Sequence, residues 1–106
     1  MELQTTSWQG PDGVEFEWDL AKAASNLRKH RVPFLMACEV FKDNDRLERL
    51  DLSGNYGEER WAVVGRVGQK ILSVVYTQRG QRIRLISARR ADRNEQRSYW
   101  IGDIPA

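Results

Sequence analysis

The chain is poor in the residues that build most cofactor and metal sites. It has one cysteine and one histidine in 106 residues. A single Cys38 excludes an intrachain disulfide framework and is compatible with a reducing cytosol; its apolar neighbourhood marks it as a small core residue. With no second histidine, no CxxC and no carboxylate cluster at ligand spacing in the basic half, metal-dependent chemistry is disfavoured and no cofactor is expected. His30 ends the apolar stripe of a helix and is expected to be a packed or helix-end residue. Phosphate loops of the GxGxxG or GxxxxGK kind are missing, so the glycines at 65, 68 and 80 read as turn and bulge residues. The longest nearly apolar run, Val32 to Cys38, is far below the roughly 18 residues that span a bilayer. No basic-then-apolar leader opens the chain, and the expectation is a cytoplasmic protein without a membrane partner.

Acidic residues are scarce in one half only. Residues 1 to 59 hold 7 Lys/Arg against 12 Asp/Glu, a net −5, whereas residues 60 to 106 hold 10 against 3, a net +7. Nine of those ten cations are arginine, whose planar fork suits phosphate oxygens. Such sign asymmetry points to an anionic partner for the basic half.

The length fits one domain with a modest core. Residues 1–13, ending in Gly10-Pro11-Asp12-Gly13, lack periodicity and read as a loosely ordered extension; residues 14–101 form the domain and 102–106 a tail. From Val14, apolar Val14, Phe16 and Trp18 alternate with Glu15, Glu17 and Asp19, a half-buried strand. Asp19 caps a helix with Leu20, Ala23, Ala24 and Leu27 on one stripe, and Pro33 opens a second with Phe34, Ala37, Cys38 and Phe41. A short strand is expected over Arg46 to Leu52, then a loop through Ser53-Gly54-Asn55-Tyr56-Gly57. Three strands follow, at 60–67, 70–78 and 81–89, joined at Gly68-Gln69 and Arg79-Gly80. Asp92 with Glu95 forms a capping-box pattern for a last helix ended by Gly102.

Two-residue turns set a register in which Thr77 opposes Arg82 and Arg60, and Val75 opposes Arg84 and Ala62. Trp61, Val63, Leu72, Val74, Tyr76, Ile83, Leu85 and also Ser87 then face the core. The other face is an unshielded floor mixing Ala62, Val64, Val75 and Ile86 with arginines. Arg79 sits at the turn, Arg90 at the strand exit, and Glu58 beside Arg60. A carboxylate among guanidinium groups stays ionised and can accept a proton from a sugar hydroxyl. The bland alternative is a surface Glu–Arg pair worth under about 1 kcal/mol.

Phe16-Glu17-Trp18-Asp19 with Lys22, Asn26, Lys29 and His30, then Tyr56-Gly57-Glu58-Glu59-Arg60-Trp61, Gly65, Val75-Tyr76-Thr77, Arg79-Gly80, Arg82, Arg84 and Ile86-Ser87-Ala88-Arg89-Arg90-Ala91, resemble the BrnT-type toxins, in the RelE-like group of toxin-antitoxin ribonucleases. The family usually carries glycine after the histidine, where this chain has Arg31, so a different helix exit is expected. The resemblance implies an α+β fold with two N-terminal helices packed on one face of an antiparallel β-sheet and a short C-terminal helix. It also implies an endoribonuclease that halts translation, attacking through the ribose 2′-hydroxyl. Partners implied are RNA, a BrnA-like ribbon-helix-helix antitoxin, and operator DNA only through that antitoxin. Carried onto this chain, the family pattern points to Glu58, Glu59, Arg60, Arg79, Arg82 and Arg84 for catalysis. Arg89 and Arg90, with Thr77 on the same floor, are the candidates for holding RNA. An antitoxin segment covering the arginine face would block RNA by occlusion. A non-catalytic module that holds RNA or protein on that basic face is the alternative.

Overall fold

Strand pairing brings an early strand beside a late one. A computed structural model describes residues 2–7, 13–52, 54 and 57–102. The Gly10-Pro11-Asp12 breakers, most of the 53–57 loop and the tail beyond Gly102 lie outside the described residues. The elements are β1 (Leu3–Ser7), β2 (Glu15–Asp19), α1 (Leu20–His30), α2 (Phe34–Ala37) running into a 3-10 turn (Cys38–Lys42), β3 (Leu47–Leu50), β4 (Trp61–Val67), β5 (Lys70–Arg79), β6 (Arg82–Arg90) and α3 (Arg93–Ile101). They make an α+β fold with one six-stranded sheet, in the order β1-β2-β6-β5-β4-β3.

The sheet is mixed, which corrects the expectation of an antiparallel one. β2 runs parallel to β6, with Glu15, Phe16 and Glu17 beside Arg82, Ile83 and Arg84. The chain leaves β2 through α1 and returns by way of β3, β4 and β5, a crossover of the length that a parallel pair needs. Leu3–Ser7, expected to be part of a loose extension, pairs antiparallel with β2 as an edge strand. Its Leu-Gln-Thr-Thr-Ser sequence carries β-branched threonines but no apolar alternation, so only the partner strand reveals it.

Local chemistry sets the helix ends. The Asp19 carboxylate accepts from the Ala21 and Lys22 amides at 2.8 and 3.0 Å. Arg31 closes α1 in the left-handed region, φ 60°, donating its N–H to Leu27 O. Within α1 the side turned inward is not the leucine stripe: Leu20 and Leu27 are 39% and 45% exposed, whereas Asn26 is buried. The Asn26 amide donates to Val32 O and Ala88 O and accepts from the Ala88 N–H, so a polar side chain locks α1 to β6. Satisfying every buried polar atom makes that burial affordable where an unpaired amide would be costly. His30 is exposed at the end of the helix.

The main core joins Phe16 and Trp18 of β2, Phe34 and Ala37 of α2, Val40 and Phe41 of the 3-10 turn, and Val63, Leu72, Val74, Leu85 and Ala88 of the hairpins. Tyr76 and Ile83 pack at its margin, as the alternation anticipates. The turn between β5 and β6 is Gly80-Gln81 rather than Arg79-Gly80, because Arg79 pairs with Arg82 and Thr77 with Arg84. Gly80 takes φ 60°, the turn conformation that a side chain resists. Beyond that, Tyr76 pairs with Leu85 but Val75 with Ser87, so Ile86 is an extra residue in a bulge. The bulge reverses the pleat, moving Ser87 from the expected core side to the arginine side and leaving Ala88 in the core.

The arginine side is not an unshielded floor. α3 lies on it, and Val64, Ile71, Ala91 and Tyr99 form a second cluster there. Asp92 and Glu95 complete the anticipated capping box, with both bonds at 2.8 Å. Glu95 also reaches the sheet, accepting from Ser73 Oγ at 3.0 Å and from both Arg89 Nη atoms at 2.8 and 3.1 Å.

Candidate functional site

The parallel register places a carboxylate of β2 beside each of Arg82 and Arg84 of β6. Arg82 Nε donates to Glu15 Oε2 at 2.9 Å, and its Nη1 lies 3.7 Å from Glu17 Oε1. Arg84 donates twice to Glu17 Oε2, from Nε at 2.7 Å and from Nη2. The two pairs differ in exposure. Glu17 and Arg84 are enclosed, with side chains 6% and 16% exposed, whereas Glu15 and Arg82 stand nearly half exposed at 43% and 48%. The Glu15 hydrogen bond holds the Arg82 guanidinium still more firmly protonated.

On the other flank Glu58 lies between two arginines, 3.6 Å from Arg60 Nη2 and 3.3 Å from Arg79 Nη2. Arg79 is thus shared between this carboxylate and an open cleft of about 420 Å³ lined by Gly13, Glu15, Glu17, Arg79, Gln81 and Arg82. The cleft presents two guanidinium groups and two carboxylates within one polar wall.

The structure separates the other sequence candidates. Thr77 is buried and its hydroxyl donates to the Glu59 carbonyl at 2.7 Å, tying the loop before β4 to β5. The Glu59 residue itself is exposed. The Arg89 guanidinium is bound to Glu95 and braces α3. Arg90 pairs with Leu72, whose side chain is in the main core, so it belongs to the side of the sheet opposite the cleft. Arg79 and Arg82 line the cleft, Glu58 joins them through Arg79 with Arg60 behind it, and Arg84 reaches the cleft wall through Glu17.

Glu15 and Glu17 are the residues that sequence reasoning missed. Their signal is the polar half of the β2 alternation, which becomes informative only once β2 is known to lie beside β6. Cys38 offers no thiolate: burial first, with the nearby Glu39 charge, pushes its thiol up to about 12. Among the described residues no group of three or more His, Cys, Asp or Glu side chains converges to hold a metal ion. Nor is any helix among them long and apolar enough to cross a membrane.

A family model described as the ribonuclease toxin BrnT of type II toxin-antitoxin systems matches residues 18–95. No curated protein matches the chain.

Proposed function

The chain belongs to the BrnT family of type II toxin-antitoxin ribonuclease toxins, and from that premise we propose that it cleaves RNA at the Arg79–Arg82 cleft without a metal ion, halting translation. The observation that carries this reading is the cleft itself, where two guanidinium groups converge with a carboxylate flank. Arg79 and Arg82 take the non-bridging oxygens of one phosphate. Arg82 exchanges the exposed Glu15 for that phosphate, a substitution of one anion for another that leaves no cation unpaired.

Glu58, positioned by Arg60 and Arg79, accepts the proton of the ribose 2′-hydroxyl. The freed oxygen attacks phosphorus, and the P–O5′ bond breaks with the leaving oxygen taking a proton from solvent. The products are a 2′,3′-cyclic phosphate and a 5′-hydroxyl end. Preorganised donors of the Arg79 and Arg82 kind contribute on the order of 100- to 1,000-fold each in rate. Glu17 and Arg84 act from behind as the enclosed pair that fixes the lattice. The RelE-like resemblance supports this chemistry and a cytoplasmic site of action with a BrnA-like antitoxin as partner.

Labelled RNA incubated with the purified protein in excess chelator tests it. Cleavage continues, the product ends in a cyclic phosphate, and a DNA strand of the same sequence is inert. Activity abolished by chelator and restored by magnesium refutes the mechanism, and RNA binding without cleavage assigns the face to a binding module.

A further inference from the structure

The sheet arginines that line the cleft are already matched by carboxylates, whereas α1 offers cations with no such partner among the described residues. The helix carries Lys22, Arg28 and Lys29 and no acidic residue, and Arg31 follows at its cap. Among the described residues none of these four cations forms an ion pair. Helical spacing sets Leu20, Ala24 and Leu27 at i, i+4 and i+7 along one outward stripe, with Arg28 and Arg31 beside it. Both leucines are about 40% exposed at 39% and 45%. The helix is held through Asn26 to β6 and through Ala23, which borders the stripe on its inward edge, to the main core. That leaves the leucine stripe on the far side of the molecule's core layer from the cleft.

We propose that this stripe is a docking surface for an acidic amphipathic helix of the antitoxin, seated away from the cleft. The inference rests on the family reading for the existence of that partner; its place and chemistry come from α1. Three anchors at i, i+4 and i+7 spread over two turns are what a facing helix engages, and Arg28 and Arg31 beside them select acidic residues on that helix. A second copy of this chain is a poor occupant, because it would bring Arg28 and Arg31 against the same cations. RNA is also disfavoured: no aromatic side chain lies on the stripe to stack a base, and exposed leucines gain nothing from phosphate.

Calorimetric titration of the full chain with its purified antitoxin tests the surface, using Leu20→Gln/Leu27→Gln and Arg28→Gln. Glutamine keeps helix propensity at these exposed positions, and unchanged thermal melts establish that both variants fold. The leucine variant weakens binding by about tenfold or more. The charge variant slows association and flattens its salt dependence. RNA cleavage by the free variants stays within about twofold of the parent, because no altered residue lines the cleft. Antitoxin affinity within about twofold of the parent in both variants overturns the docking surface while leaving the ribonuclease reading intact. Loss of RNA binding with antitoxin affinity retained overturns it too, by giving the surface to RNA. A parent chain that neither cleaves RNA nor binds the antitoxin refutes both readings together.

Discussion

Arg82 and Arg84 are two residues apart on one strand and carry the same charge, yet their removal should have opposite signatures. Arg84→Ala strips both strong hydrogen bonds from Glu17, whose side chain is 6% exposed. The remaining contact is Arg82 Nη1 at 3.7 Å, too long for a hydrogen bond. Breaking a buried pair from one side leaves a charge stranded, and costs roughly 3–5 kcal/mol when nothing replaces the partner. Because Arg82 stays nearby, about 3 kcal/mol is the expected loss. That is a large part of the 5–15 kcal/mol, roughly, that holds a domain folded.

Arg82→Ala breaks a contact between half-exposed groups, worth under about 1 kcal/mol. Its cost falls on RNA cleavage instead, on the order of 100-fold or more, as expected for a lost phosphate donor. The single-strand view of the sequence treats both arginines as surface groups whose joint loss spares the fold; the parallel β2–β6 register is what divides them. Urea denaturation of the two single variants, with cleavage measured on each, is the assay. Adding Glu17→Gln to Arg84→Ala removes the stranded charge, so the double variant should recover part of the stability lost by Arg84→Ala alone. Equal denaturation midpoints for Arg82→Ala and Arg84→Ala, or no recovery with Glu17→Gln, would refute this account of the lattice.

Short-range patterns carried most of the fold. The β4–β5–β6 meander follows from alternation and turn residues, and its apolar set reappears in the core as Val63, Leu72, Val74 and Leu85. The capping box of Asp92 and Glu95 is a three-residue signal and forms as read. What escaped was long-range or compensatory. The bulge at Ile86 interrupts an apolar run with neither glycine nor proline to mark it, so strict alternation puts Ser87 on the core side, whereas it lies on the arginine side. Hydrophobic spacing in α1 correctly indicated a helix, but the inward side was decided by Asn26, whose amide satisfies backbone groups 6 and 62 residues away.

The candidate site was legible on one side only. Arg79, Arg82 and Arg84 follow from the hairpin, whereas the carboxylates that pair with Arg82 and Arg84 come from β2, 67 residues earlier in the chain. Charge counting by halves separated these two sets and therefore overstated the positive field at the cleft. The halves have opposite signs partly because they neutralise each other across the β2–β6 seam. Net charge is a statement about the whole surface, and which cations remain available to a partner is settled by pairing.

Two further outcomes concern stability. Arg31→Gly relieves a non-glycine residue at φ 60° and should raise unfolding free energy by about 1 kcal/mol, read from the urea midpoint; a fall would show that the Arg31 side chain has a role the cap geometry does not require. The second concerns acid. Burial alone would raise the Glu95 pKa, but the Arg89 guanidinium, the Asp92 amide and the Ser73 hydroxyl outweigh it and hold the carboxyl below its ordinary 4.5. A lowered folded pKa means that the native state binds fewer protons than the unfolded chain. Its stabilisation is therefore complete above pH 4.5 and is lost as the pH falls through the folded value. Asp43 shifts in the same direction, since bonds from Tyr99 and the Arg66 and Asp45 amides, with the Arg46 charge, outweigh its own burial. The wild-type slope has both sources, so the informative quantity is the stability difference between wild type and Glu95→Gln. At neutral pH that difference should be about 2–3 kcal/mol, because a buried charge-assisted network loses its acceptor. It should shrink steadily below pH 4.5, where the wild-type carboxyl takes up a proton and loses the same advantage. Parallel stability curves down to acid unfolding would place the α3 clamp outside the linkage and leave Asp43 as the main source of acid sensitivity.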